Sequence, residues 1–75
     1  MVHSTASTRL GEVIESALGE AQITLRQVEG QTGIARTTLS RRIRLGGWTI
    51  AELEAIAALL GTEVTALIHR AEVAA

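Results

Sequence analysis

The chain contains no cysteine, which excludes disulfides, thiol catalysis and cysteine-ligated zinc. Proline is absent, and Trp48 is the only aromatic residue. Any core must therefore be aliphatic, built from Leu, Ile, Val and Ala. Lysine and aspartate are missing as well, so every fixed cation is an arginine and every side-chain carboxylate a glutamate. The longest apolar run covers residues 55–60, far short of the ~18 residues that suggest a membrane span. Residues 2–8 hold no basic stretch and no apolar stretch, so no signal peptide is read there. Secreted domains of this size usually need covalent staples, and a cytoplasmic location is expected.

What is present fits one folded unit. The 75 residues allow a single domain. An apolar fraction of 47% against 20% charged argues against a disordered chain. So short a chain buries only about 60% of its unfolded surface, so it must pack well or associate. The net charge of −1 hides an uneven distribution. Residues 26–44 hold Arg26, Arg36, Arg41, Arg42 and Arg44 against Glu29 alone, while the flanks hold Arg9 and Arg70 against seven glutamates. A basic middle thus sits between acidic ends.

Apolar spacing predicts five helices and no strands. Leu10, Val13, Ile14, Ala17, Leu18 and Ala21 form a stripe of helical period, with Ser7 or Thr8 available as its cap. A second helix starts at Thr24, where Thr24 and Gln27 fit a capping box and Ile23 and Val28 fit a hydrophobic staple. Gly30 weakens this helix by ~1 kcal/mol relative to Ala, and Gly33 ends it. A third helix over residues 35–44 turns Leu39 and Ile43 inward, and residues 45–48 form its exit loop. A fourth opens with a second capping box, Thr49 and Glu52, and buries Ile50, Leu53, Ile56, Ala57 and Leu60 before Gly61. Thr62 is the expected cap of a fifth, whose inner face is Val64, Leu67, Ile68 and Ala71. Residues 1–8 are expected as a flexible arm and 9–75 as the domain.

Two short helices joined at Gly33 make a helix-turn-helix arrangement. Val28, Gly33, Ile34, Ala35, Arg36, Thr37 and Thr38 match one block of a known pattern, and Glu52, Leu53, Ile56, Ala57, Leu60 and Gly61 match a second at the right separation. On these residues the chain resembles the Cro/CI repressor (XRE-type) helix-turn-helix family over nearly its whole length. Four positions depart from the family's habit. Leu25 stands where a phosphate-contacting Gln is common, Glu29 where a small Ala is usual, Ala35 where Ser or Thr caps the third helix, and Arg42 where an apolar core residue is more usual, that core position falling on Ile43. The resemblance implies an all-α, five-helix lambda-repressor-like fold and a sequence-specific DNA-binding regulator. It further implies a repressor of phage or plasmid type in a bacterial or phage-infected cell, working on double-stranded DNA as a homodimer.

The third helix then becomes the reading helix of the major groove, where base edges carry a distinguishing donor and acceptor pattern. Arg36 and Arg41 are the candidates for paired contacts to guanine. Thr37 and Ser40 are short enough for close approach to bases. Thr24, Arg26, Thr38, Arg42 and Arg44 are the candidates for phosphate contacts, with the helix amino end adding its dipole. Leu59 and Val73 lie off the inner faces of their helices and are the candidates for a dimer surface.

Competing readings stand beside these. Arg42 reads equally well as a surface cation without a DNA contact. Trp48 reads first as a plug under the loop, and second as an indole N–H donor to the DNA backbone. Glu29 can pair with Arg26 one helical turn earlier, and Glu12, Glu15, Glu52 and Glu54 read as exposed. His3 and His69 are distant in sequence and lack companions, so no metal or other cofactor is expected. No serine has a base-and-orienter pair and no phosphate loop is present, so neither an enzyme nor a small-molecule substrate is expected. A different class of function remains: an antitoxin-like interaction module that neutralises a partner toxin. Whether the chain is a complete regulator or one domain of a longer protein stays open.

Overall fold

The computed structural model describes residues 6–74, with side chains over 9–73. Among these residues the chain forms five helices and no strand. They are α1 (Ala6–Glu20), α2 (Leu25–Thr32), α3 (Arg36–Leu45), α4 (Ile50–Leu60) and α5 (Val64–Ala74). The α1 helix lies against α5 and α3, α2 lies against α3 and α4, and α4 closes onto α5.

The apolar stripe of α1 supplies much of the core. Leu10, Val13, Ile14, Ala17 and Leu18 are buried, and Ile14 is sealed from solvent. Facing them are Val28, Leu39, Leu53, Ile56, Ala57, Leu67 and Ala71. No charged or polar residue is buried among the described residues, so the core is held by aliphatic burial alone. Trp48 packs half-buried against its edge. Its indole N–H is inside, with no hydrogen-bond partner among the described residues, which suits a plug and leaves no donor facing outward.

Local capping follows the sequence where a side chain can reach its own backbone. Thr24 accepts from the Gln27 amide at 3.1 Å, and its own amide donates to Gln27 Oε1 at 2.8 Å. Thr49 and Glu52 repeat the box at 3.1 and 2.9 Å. Both were expected, and each satisfies two amides that the helix start would leave unpaired.

Several expectations shift. The backbone is helical from Ala6, so Ser7 and Thr8 fall within the first turn rather than before it. The helix thus extends into the stretch expected as an arm, of which residues 1–5 lie outside the described residues. Ala21 is exposed beyond the end of α1. There Ile23 N–H donates to the Leu18 carbonyl at 2.9 Å and Gln22 N–H to the Gly19 carbonyl at 3.1 Å. This Schellman pairing places Gln22 at φ 59°. Ile50 is 62% exposed rather than buried, because as the first residue of α4 it precedes the turn that meets the core. Leu45 ends α3 instead of starting the loop and is also exposed. At α5 the Glu63 carbonyl, one residue past Thr62, accepts the first helical bonds from Ala66 and Leu67.

One contact between α1 and α3 was not visible in the pattern. A Cβ on Gly11 would lie 2.9 Å from the Ile43 Cα and carbonyl carbon, and closer still to the carbonyl oxygen. The backbones touch there, and only a residue without a side chain allows it. Gly30 is the opposite case, with open space where a Cβ would stand. Two variants separate these roles in a thermal melt. Gly11→Ala should lower stability by about 1–3 kcal/mol by forcing α1 off α3. Gly30→Ala should raise the melting midpoint, by roughly 4–8 °C if the full ~1 kcal/mol helix gain is realised.

Candidate nucleic-acid interface

The direction of α3, the expected reading helix, is set by the turn before it. Gly33 ends α2 in the left-handed region, φ 81° and ψ 0°, and its amide donates to the Glu29 carbonyl at 2.8 Å. A side chain at this φ would be strained, so glycine fixes the angle at which the chain leaves α2. Thr32 adds a tie that the sequence reading missed. Its hydroxyl donates to the Val28 carbonyl at 2.7 Å and accepts from the Ile34 amide at 3.2 Å. Ile34 packs half-buried against the core. As Ala35 has no side-chain oxygen, α3 begins without a side-chain cap, and its first amides remain available to an anion.

Leu39 is the one fully buried side chain of α3. Around it the helix divides by face. Arg36, Thr37, Ser40, Arg41 and Arg44 are exposed, Thr38 and Ile43 are half-buried, and Arg42 is held at the side. At 3.6 residues per turn, Thr37 and Arg41 stand almost opposite Leu39. All four residues expected to meet bases thus lie on accessible surface of one helix. Ser40 and Arg44 also line a shallow groove with Glu12 and Glu15 of α1 and with Leu25 and Ile43. Acidic side chains therefore border the basic face on that side. Of the residues expected on phosphates, Arg26 is exposed on α2, and Thr24 is exposed with its hydroxyl engaged in the capping box.

Two arginines of α3 are engaged within the protein. Arg36 Nε lies 3.0 Å from Glu29 Oε1. Glu29 was expected to pair with Arg26 on its own helix, but the turn brings Arg36 to it from α3. Arg42 donates from Nε to Glu52 Oε1 at 2.9 Å and from Nη2 to Oε2 at 3.2 Å. This fork-to-carboxylate bridge spans the loop and ties α3 to the first turn of α4. Arg42 is thus a brace between α3 and α4, an intramolecular role that neither sequence reading of it named. Arg26, Arg41 and Arg44 form no ion pair among the described residues.

Glu52, expected on an exposed face, is half-buried instead because Arg42 covers it, and it completes a hub. Its Oε1 accepts from both Arg42 Nε and the Thr49 amide. Hydrogen bonding from Arg42 holds its carboxyl below the usual glutamate range, reinforced by the Thr49 amide and opposed by partial burial. The folded state therefore releases this proton more readily than the unfolded chain does. That contribution is full above the ordinary value near 4.5 and is lost as pH falls through the lower folded value. Glu52→Gln keeps a side chain able to cap but removes the charge. It should cost about 1 kcal/mol near neutral pH, and the melting points of the two proteins should converge as pH falls through the lowered folded value. A gap that stays constant down to acid pH would contradict the linkage.

The proposed dimer pair does not share one environment. Val73 is 70% exposed near the end of α5. Leu59 is half-buried and packed against the core. His69 is exposed on α5, and His3 lies outside the described residues. No helix among the described residues is long and apolar enough to cross a membrane.

A family model of the Cro/C1-type helix-turn-helix DNA-binding domain matches residues 13–70. No curated protein and no solved structure matches the chain significantly. The matched stretch contains the whole of α2, α3 and α4, together with most of α1 and α5.

The chain belongs to the Cro/C1-type helix-turn-helix family, and its function is that of a DNA-binding regulator.

Proposed function

We propose that this Cro/C1-type domain is a sequence-specific transcriptional repressor of phage or plasmid type that acts by occupying an operator. The observation that carries the reading is the exposed polar and basic row on α3, set opposite a single buried leucine and preceded by the Gly33 turn. Such a helix enters the major groove with its first turns deepest. Arg36 and Arg41 would take guanine acceptors, and Thr37 and Ser40 would sit against neighbouring base edges. Arg26, Thr24, Thr38, Arg44 and the uncapped amino end of α3 would hold phosphates. Arg42 would act from behind, fixing the exit of α3 through Glu52.

Two copies would read a palindrome with half-sites about 34 Å apart. Val73 supplies an exposed apolar residue for that association, whereas Leu59 is half-buried and packed against the core. The acidic flanks keep general affinity for DNA low, which places the burden of selectivity on α3.

Selection of bound duplexes from a random library at near-physiological salt tests the reading, and an enriched palindrome is the expected result. A library that emerges without enrichment would oppose it and favour a protein partner. Arg41→Ala should weaken the selected site at least ten-fold, while unchanged affinity would put the reading face elsewhere. Arg26→Ala should weaken all duplexes alike and flatten the salt dependence by roughly one charge. A changed base preference in that variant would reverse its assignment as a phosphate contact.

A further inference from the structure

Glu29 is the one acid within the basic stretch 26–44, and it meets Arg36 across the turn at 3.0 Å. Neither stability nor affinity accounts well for it. The two side chains are 40% and 54% exposed, and ion pairs so open to water contribute little to a fold. A carboxylate beside the DNA-facing helix also repels phosphate, so it lowers affinity for DNA in general.

We infer that Glu29 is a positioning residue that sets specificity, holding Arg36 for a guanine and withholding it from phosphates. The inference rests on the reading of Arg36 as a base contact. A guanidinium carries five donors in a rigid fork. Guanine needs two of them, for O6 and N7. Glu29 engages Nε, and among the described residues Arg36 has no other ion-pair partner. The two terminal amino groups remain to donate.

Three physical effects then act in one direction. An anchored arginine loses less rotamer freedom on binding than a free one. A phosphate approaching Arg36 comes next to the Glu29 carboxylate and meets like charge. Guanine O6 and N7 are neutral acceptors and meet no such repulsion. Adenine offers a donor at N6 where guanine offers O6, so the held fork finds only one acceptor there. Glu29 thus trades general affinity for discrimination. It also explains why a charged residue stands where this family usually has a small one: the guanidinium it engages comes from the start of the reading helix.

The test compares the wild type, Glu29→Gln, Arg36→Ala and the double variant. Each is assayed by duplex selection and by titration of the selected site and a scrambled duplex at a fixed salt concentration. Glu29→Gln keeps the size of a half-exposed side chain, so its melting point should stay within about 4 °C of wild type. It should bind scrambled DNA several-fold more tightly. Its discrimination should fall roughly ten-fold at the same base pair that Arg36→Ala relaxes. The double variant should match Arg36→Ala, because no arginine is left to position. Unchanged preference in Glu29→Gln, at a base pair that Arg36→Ala does relax, overturns the role of Glu29. So does an effect of Glu29→Gln that persists undiminished without Arg36. If Arg36→Ala leaves every base preference intact, the underlying reading of Arg36 fails instead.

Discussion

The structure depends on how little of α3 is buried. A helix proposed to offer its surface to DNA cannot also spend that surface on a core, and here only Leu39 is fully enclosed. One leucine is a slender anchor for a helix whose orientation matters. The rest of the molecule compensates. At the entry, Gly33 and Thr32 fix the turn, and Ile34 packs beside it. In the last turn, the Gly11 backbone touches the Ile43 backbone. At the exit, Arg42 grips Glu52 in the first turn of α4. These constraints act at the two ends of α3, and together they hold it without covering its outer face.

The arginines consequently fall into separate tasks. Arg42 belongs to the scaffold, bound on two nitrogens by a carboxylate that is itself part of a helix cap. Arg41 and Arg44 stand on the outer surface without ion-pair partners among the described residues. Arg36 lies between these states, exposed but engaged by Glu29. A basic segment counted as one block of charge is therefore three kinds of site. Differences of this sort decide whether a cation stabilises a fold, fixes a docking position or reads a base.

Much of the fold was legible in the sequence because its signals are local. The capping boxes at Thr24 and Thr49 involve residues three apart, and a helix start brings such residues together in almost any context. The α1 stripe from Leu10 to Leu18 is buried as its period demands. Gly33 and Gly61 end their helices at positive φ, as glycines after an apolar stripe commonly do. The misread positions lie at helix ends, where period is a poor guide. Ile50 has the right spacing for the α4 face yet precedes the turn that reaches the core, and Ala21 follows the turn that leaves it.

By itself the sequence determined the five helices, their aliphatic core, the placement of the turn and the helix that carries the arginines. The tertiary structure alone decided which partners those arginines have. Arg36 meets Glu29 from another helix, and Arg42 meets Glu52 across a loop. A helical period relates residues three or four apart, whereas these pairs depend on the angle between helices. That angle comes from backbone geometry at Gly33 and from the packing of α1 on α3 at Gly11, neither of which any charge pattern records.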